Sequence, residues 1–496
     1  DKLRGRASPG SVTSCFTMRH RNLSWWWWFV LLLMMMFMAG RIPVAVEAQA
    51  TSSSCEPSTT TPTTVHTIST TEEATKLGQD ILLCPGGAFA AEWQGYVSID
   101  QPLELTNGTS LVITGSSNAT IYGKDEVPLF VVNGSTLLVE GVALSGGNGV
   151  FGGVVAAREG AKVTFLECDI YGNSASSKGG AVFLDGSELT VGGSIFARNV
   201  AVIYGGGIYA QSGSTVSTVD GTINTFKSNQ AKYGGAIYLE NRSTTTFGSG
   251  DTTLSNNYAS LQGGAIHIEM TSQVKADGNI LFSDNESGNN GGAISVYDQS
   301  SVVVEGNTSF IDNISNHYGG AIMLTGSGFL RTAGITIFGG NSAKYDGGAI
   351  QAEFGCVVKL TGSTMFFGNS AGQLGGAING FDGVAVSTAG SSRFSNNTAE
   401  FGGAVHANRN ATLTLTGAVK FDNNTALSDG GALHLTSVET AIYGRPIFHY
   451  NAAGTGSGGA VYCARVTELT VRNAIFLGNT AVWGGAVATF SSGAQA

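Results

Sequence analysis

One phrase returns along most of this chain: Gly-Gly, a small residue and an aliphatic one, as in Gly234-Gly235-Ala236-Ile237, with Phe-x-x-Asn eight to ten residues upstream, as in Phe226 to Asn229. The first Gly falls at Gly152, Gly179, Gly205, Gly234, Gly263, Gly291, Gly319, Gly347, Gly375, Gly402, Gly430, Gly458 and Gly484, in steps of 26 to 29 residues. A fixed period of that size is the mark of a solenoid or propeller, in which each repeat packs on the next. Within a repeat, apolar residues alternate over short runs such as Ala293 to Val296 and Ser301 to Val304, which reads as strand. Gly and Asn recur too often for a crossover helix between them. The fold expected is all-β: a right-handed, single-stranded parallel β-helix of the pectin-lyase type, with about 13 regular coils and an N-terminal cap.

Stacked coils lie about 4.8 Å apart, so a residue at a fixed place in each coil meets its own kind above and below. Twelve asparagines share such a place: Asn173, Asn199, Asn229, Asn257, Asn285, Asn313, Asn341, Asn369, Asn397, Asn424, Asn451 and Asn479. An amide column of this kind passes hydrogen bonds from donor to carbonyl along the axis. Three residues ahead runs an aromatic column from Phe196 and Phe226 to Phe476, interrupted at Leu254 and Ile170, which suits a core stack of offset rings. The Gly pair marks a turn with positive φ or a close approach to the next coil.

Met18-Arg19-His20-Arg21 followed by the apolar run Trp25 to Ala39 reads as a secretory signal, with small residues Ala48 and Ala50 after it. Fifteen residues fall short of the roughly 20 that a spanning helix needs. Residues 1–50 are therefore assigned to upstream sequence and signal peptide, 51–73 to a Ser/Thr-rich linker, 74–151 to a cap and first irregular coils, and 152–496 to the repeats, expected to be truncated at the C-terminus. Beyond residue 50 the chain keeps 19 basic and 33 acidic residues, a net charge of −14, which makes nucleic acid a poor partner and anionic polysaccharide a difficult one unless basic residues cluster locally. Extracellular placement, secreted or at the cell surface, fits this composition. Cys55 and Cys84 flank the linker and form a candidate disulfide. Cys168, Cys356 and Cys463 fall in separate coils as small buried residues.

Asn-x-Ser/Thr sequons at Asn107, Asn118, Asn133, Asn241, Asn307, Asn396, Asn410 and Asn423 are candidate glycosylation sites. Two more, at Asn285 and Asn313, belong to the internal column and are expected to stay bare. Chance motifs carry no chemistry: Gly368 to Gly372 matches G-x-S-x-G but occupies the Asn turn. Gly147 to Gly152 and Gly454 to Gly459 match G-x-G-x-x-G without opening a helix.

If the aliphatic residue three after the first Gly points inward, its successor points out. That outward column includes Phe183, Tyr209, Tyr238, His267, His406 and His434, and two positions further on stand Asp185, Glu240 and Glu269. Phe183, Tyr209, Tyr238, His267, Asp185, Glu240 and Glu269 form a candidate glycan-contact face, set against the plainer reading of a solvated β-face. His406 and His434, one coil apart, have the spacing of a metal pair but lack supporting ligands. No basic residue joins either column, which counts against a site for acidic sugars.

The alternation of Gly-Gly-Ala-[Ile/Leu/Val] with Phe-x-x-Asn over residues 152–490 resembles the repeat of the chlamydial polymorphic outer membrane proteins and of related secreted proteins in algae and other protists. The resemblance implies a surface-exposed β-helical passenger used in adhesion, with both motifs needed for binding. The sequence departs from the bacterial pattern in having no C-terminal run of amphipathic strands for a barrel; the sequons suit a eukaryotic secreted relative. Adhesion, surface display or extracellular structure is the expected role, without catalytic residues, metal or other cofactor. The partners expected are cell-surface or wall components, glycans or proteins, with membrane contact only through the signal segment or an anchor outside this chain. The alternative is a polysaccharide-active enzyme or carbohydrate-binding module, because parallel β-helices host lyases, hydrolases and epimerases.

Overall fold

The computed structural model describes residues 65–465 and 468–490. These lie in the second of two compact units, Cys55–Ala496; the first, Asp1–Ser54, which holds the signal-like segment, is outside the described residues. So are residues 51–64 of the Ser/Thr tract and Cys55. Cys84 is disulfide-bonded, and Cys168, Cys356 and Cys463 are free and buried.

The coils form four parallel sheets, and each coil between Asn148 and Ala453 contributes a strand to all four. A 15-stranded sheet carries the residues after each Gly pair, such as Ile237–Leu239, and is called here the Gly sheet. A 16-stranded linking sheet (Thr244–Phe247 in the same coil) and a 15-stranded Phe sheet (Asp251–Ser255) follow. The fourth, 12-stranded sheet runs just after each Asn (Tyr258–Gln262) and leads into the next Gly pair; it is the cover sheet. Strand pairing is in register along the body, with Ile237 beside Ile266, Ile294, Ile322 and Ile350 in successive coils.

Why this register and no other? Asn229 Nδ2 donates to Asn257 Oδ1 at 3.0 Å, and the backbone N–H of Asn229 donates to the same oxygen at 3.0 Å. The second amide proton of Asn229 goes to the carbonyl of Phe196 at 3.0 Å. This three-bond pattern repeats without a break from Asn173 to Asn479, with side-chain steps of 2.9 to 3.0 Å. A slip by one residue would break every bond of the file and turn each core side chain outward.

The aromatic file lies in the same core. From Phe282 to Phe476 the rings stack at 4.7 to 4.9 Å and within 11° of parallel. Each such pair adds about 0.5–1.5 kcal/mol beyond its area burial. Leu254 pairs in register with Phe226 and Phe282, so an aliphatic side chain substitutes in one coil without moving the strand.

The two glycines of each pair do different work. Gly234 takes φ +62°, where an L side chain is strained. Gly235 is held by proximity, since a Cβ there would lie 2.1 Å from the carbonyl oxygen of Gly264 in the next coil. Ala236 is fully buried behind them.

The N-terminal boundaries differ from expectation. Val65–Ile68 is already a strand of the linking sheet, paired with Ala90–Trp93, and an α-helix spans Thr71–Leu83. The linker assigned to 51–73 therefore gives way to ordered structure by residue 65. Thr70 and Glu73 form a capping box, and Ala74, Leu77 and Ile81 bury the helix's apolar stripe against the first strands. That covers apolar surface which an uncapped first coil would expose. The coils of 74–151 are also regular where they matter: Leu103, Phe130 and Val155 stand in register.

Replacing Asn313 by Ala removes the acceptor for Asn285 N–H and Nδ2 and the donor to Phe282 and Asn341. At about 1–3 kcal/mol per stranded group, the loss of stability is expected at about 3–5 kcal/mol. A fall in the denaturant midpoint, with hydrogen-exchange protection lost first around residues 282–345, is the measurement; an unchanged midpoint would contradict the file's role.

Candidate binding face

The strand after each Gly pair alternates as expected, so Tyr209, Tyr238 and His267 point away from the main core. They are not solvated. Phe183, Tyr209, Tyr238 and His267 are between 0 and 3% exposed, which corrects the open face inferred from alternation alone. The cause is the residue just before each Gly pair. The turn at the first Gly brings that residue back over the strand that follows: Ser295 Oγ donates to the carbonyl of Asn290 at 2.7 Å, across Gly291.

The covering residues form a file of their own, with bridges from Lys178 to Tyr204 and from Tyr204 to Tyr233. Tyr204 lies 4.7 Å from the Tyr238 ring, and Tyr233 meets His267 edge-on at 5.6 Å. Beneath them Phe183, Tyr209, Tyr238 and His267 stack face to face at 5.0 to 5.5 Å. Ring faces used up in this way are not free to stack on a sugar.

What remains accessible is the polar rim. The Tyr209 hydroxyl donates to Glu240 Oε1, and the Tyr238 hydroxyl to Glu269 Oε1 at 2.6 Å. Lys178 reaches over from the cover sheet to the Tyr209 hydroxyl, to Gln211 at 3.3 Å and to within 3.7 Å of Glu240. Basic residues are thus present on this face, contrary to the reading of the two columns alone. His267 Nε2 stands 3.5 Å from Glu269 Oε2, while its Nδ1 is buried without a partner among the described residues. The contact with His267, then the Tyr238 hydroxyl, holds the Glu269 carboxyl below its ordinary range against the opposing effect of burial. Burial, followed by the bond to a carboxylate, raises both tyrosine phenols. Asp185 is half-buried one coil earlier in the rim.

Further along the same file the side chains are polar and buried. Asn379 Nδ2 donates to Gln351 Oε1 at 2.9 Å, and His406 Nδ1 meets Asn379 Oδ1 at 2.6 Å. His406 and His434 stack at 5.0 Å, with Tyr462 next at 4.7 Å. They stack as rings, and among the described residues no group of three or more His, Cys, Asp or Glu is arranged to hold a metal ion. Asp346, in the covering file, is pushed up to about 6 by burial.

The sequon asparagines sit apart from this strip. Asn107, Asn118, Asn241, Asn307, Asn396, Asn410 and Asn423 are exposed and Asn133 is half-buried, whereas Asn285 and Asn313 are fully buried in the amide file.

The profile of the Chlamydia polymorphic membrane protein (Chlamydia_PMP) repeat matches residues 225–240, 251–269, 279–297, 335–353, 391–408 and 418–436. Six stretches of this chain are thus similar to that repeat. Each matched stretch runs from the Phe sheet through the buried Asn and the covering residue to the rim of the Gly sheet. The polymorphic membrane protein repeat therefore specifies the corner where the covering file closes over the outer strip. Coils between the matches, such as Phe310-Asn313-Gly319, hold the same geometry. No curated protein and no solved structure matched the chain.

Sequence reading missed the covering file and two cations, Lys178 and Arg158. A signal was present: aromatic or charged residues immediately precede the first Gly at Phe151, Lys178, Tyr204, Tyr233, Tyr318 and Trp483.

Burial holds His406 down to about 3 and His434 down to about 4. Both are neutral when folded, and the unfolded chain takes up protons below about 6.5. Their contribution is intact above that value and is lost as pH falls towards 4, by up to about 1.4 kcal/mol per pH unit for each histidine. Asp346, with its raised value, acts in the opposite sense. Thermal melts between pH 7 and 4 are expected to drop less steeply for His434→Phe, which keeps the ring stack, than for the native chain; equal slopes would contradict this account.

Proposed function

We propose that this chain works outside the cell, secreted or displayed at a surface, as a non-enzymatic adhesive or structural rod. The observation that carries the reading is the polymorphic membrane protein repeat on a stiff, unbroken solenoid. A rod whose outer strip recurs every coil offers many equivalent places for weak contacts, and such contacts gain by multivalency. A signal segment beginning near Met18 and seven exposed sequons support the secretory route, and the chain's acidity leaves glycans or proteins of a surface or wall as the partners to test. No described helix is long and apolar enough to cross a membrane.

One observation favours a second reading, a polysaccharide-active enzyme. The Tyr238-Glu269-His267 group, with Tyr209, Glu240 and Lys178 beside it, places carboxylates, phenols and a cation in contact. Against it stand the pairing of each carboxylate with a phenol of its own strip and the covered ring faces.

Beads coated with the purified chain are expected to bind cell surfaces or wall fragments saturably, with soluble chain competing. Absence of binding across a broad panel would remove the adhesive reading. Incubation with alginate, pectin and glucan separates the alternative: products formed by the native chain and lost in Glu240→Ala or His267→Ala would establish the enzyme instead. Glycopeptide mapping of protein made in a secreting eukaryotic host is expected to find glycan at exposed sequons and none at Asn285 or Asn313.

A further inference from the structure

The outer strip does not begin at Phe183. Its inner file continues in register to Ala156 and Val131, and its rim file to Arg158, which pairs with Asp185. At these two coils the file narrows, because Ala156 and Val131 stand where the next coils carry Phe183, Tyr209 and Tyr238. The covering file also starts here, since Asn148–Phe151 is the first strand of the cover sheet, whereas the other three sheets run two or more strands further towards the N-terminus.

The result is a hollow of about 600 Å³, floored by Val131 and Ala156, walled by Phe151, and rimmed by Glu126, Asn148 and Ser176. That is within the usual range of about 300–1,000 Å³ for small-ligand sites. Arg158 lines it. Its guanidinium lies 5.0 Å from the ring centroid of Phe183 and 5.7 Å from that of Phe151, and among the described residues it makes no ion pair. A half-buried guanidinium held against two rings, with Asp185 in register beside it and Glu126 across the hollow but neither in direct contact, is a cation open to a carboxylate ligand.

We propose that this hollow binds a uronate residue of an acidic glycan, its carboxylate on Arg158. The inference rests on the adhesive reading and names a ligand class for one end of the strip. Planar guanidinium matches a carboxylate with two parallel N–H···O bonds, and stacking on the rings pre-orients it. Glu126 on the rim sets the other half of the specificity. It accepts hydroxyl hydrogens, as do the Asn148 carbonyl and Ser176 hydroxyl oxygens, and it repels ligands that bring more than one negative charge into the hollow. A ring with one carboxylate and several hydroxyls satisfies both; a phosphate monoester, which carries close to two charges at neutral pH, or an aspartate-rich peptide does not.

The test is calorimetric titration of the whole chain with a galacturonate trimer, its methyl-esterified form and a phosphorylated galactose trimer, at low and moderate salt. The free acid is expected to bind, and both other trimers to bind at least tenfold more weakly. Arg158→Ala is expected to weaken binding of the acid tenfold or more, with Arg158→Lys in between. Ala156→Phe fills the hollow with the ring that Phe183 and Tyr209 place in the following coils, so it is expected to abolish binding while the melting temperature and Arg158 are retained. Equal binding of the ester or the phosphate, or an acid affinity unchanged in Arg158→Ala or Ala156→Phe, would overturn the proposal. Bead adhesion by the same variants separates the two levels. Adhesion without any trimer binding removes this site alone, whereas a native rod that adheres to nothing removes the reading beneath it.

Discussion

Everything in this solenoid leans on a carboxamide with no water to turn to. Each file asparagine has two amide protons and one carbonyl, and the coil geometry assigns all of them: one proton to the next asparagine, one to the backbone behind the aromatic residue of the previous coil, and the oxygen to two donors from that coil. Buried polar groups are costly when orphaned and cheap when paired, so the file fixes register through the penalty for every alternative. The Phe stack supplies apolar area but little register of its own, since Leu254 replaces a ring without disturbing the pairing around it.

The outer strip obeys the same logic at a second level. A side chain pointing away from the core is ordinarily wet, yet here the tight Gly turn folds the preceding residue back over it. Aromatic and histidine rings thereby form a small secondary core, Phe183, Tyr209 and Tyr238 with Phe151, Tyr204 and Tyr233 packed on it. The polar heads of the rim and the half-buried covering side chains reach the surface, while the rings of Phe183, Tyr209, Tyr238 and His267 do not. The strip is therefore a polar seam with an aromatic backing, which suits contact through hydrogen bonds more than through ring stacking.

Legibility followed from period. The Asn and Phe files could be read directly because stacking converts a recurrence in sequence into adjacency in space, and the glycine pair because few residues tolerate that turn. Burial of the outward column could not be read, because alternation gives direction and says nothing of what a neighbouring loop covers. The cap helix went unnoticed for a different reason: its capping box at Thr70 and Glu73 lies where Ser/Thr content suggested a linker, and its stripe at Ala74, Leu77 and Ile81 falls just beyond that boundary, so the two halves were read apart. Arg158 was lost to a boundary, the columns having been started one coil too late at Phe183 and Asp185. Lys178 was lost because it belongs to the preceding strand and reaches the rim only through the turn.

Because each asparagine answers only to its neighbours in adjacent coils, no long-range partner is specified anywhere along the file. Removing or duplicating one complete turn, for example from Gly291 to Tyr318, rejoins equivalent atoms on both sides and leaves every bond pattern whole. An insertion of half that length does not. Lineages carrying such a rod can therefore lengthen or shorten it by unequal recombination in whole turns, changing reach without reinventing the fold.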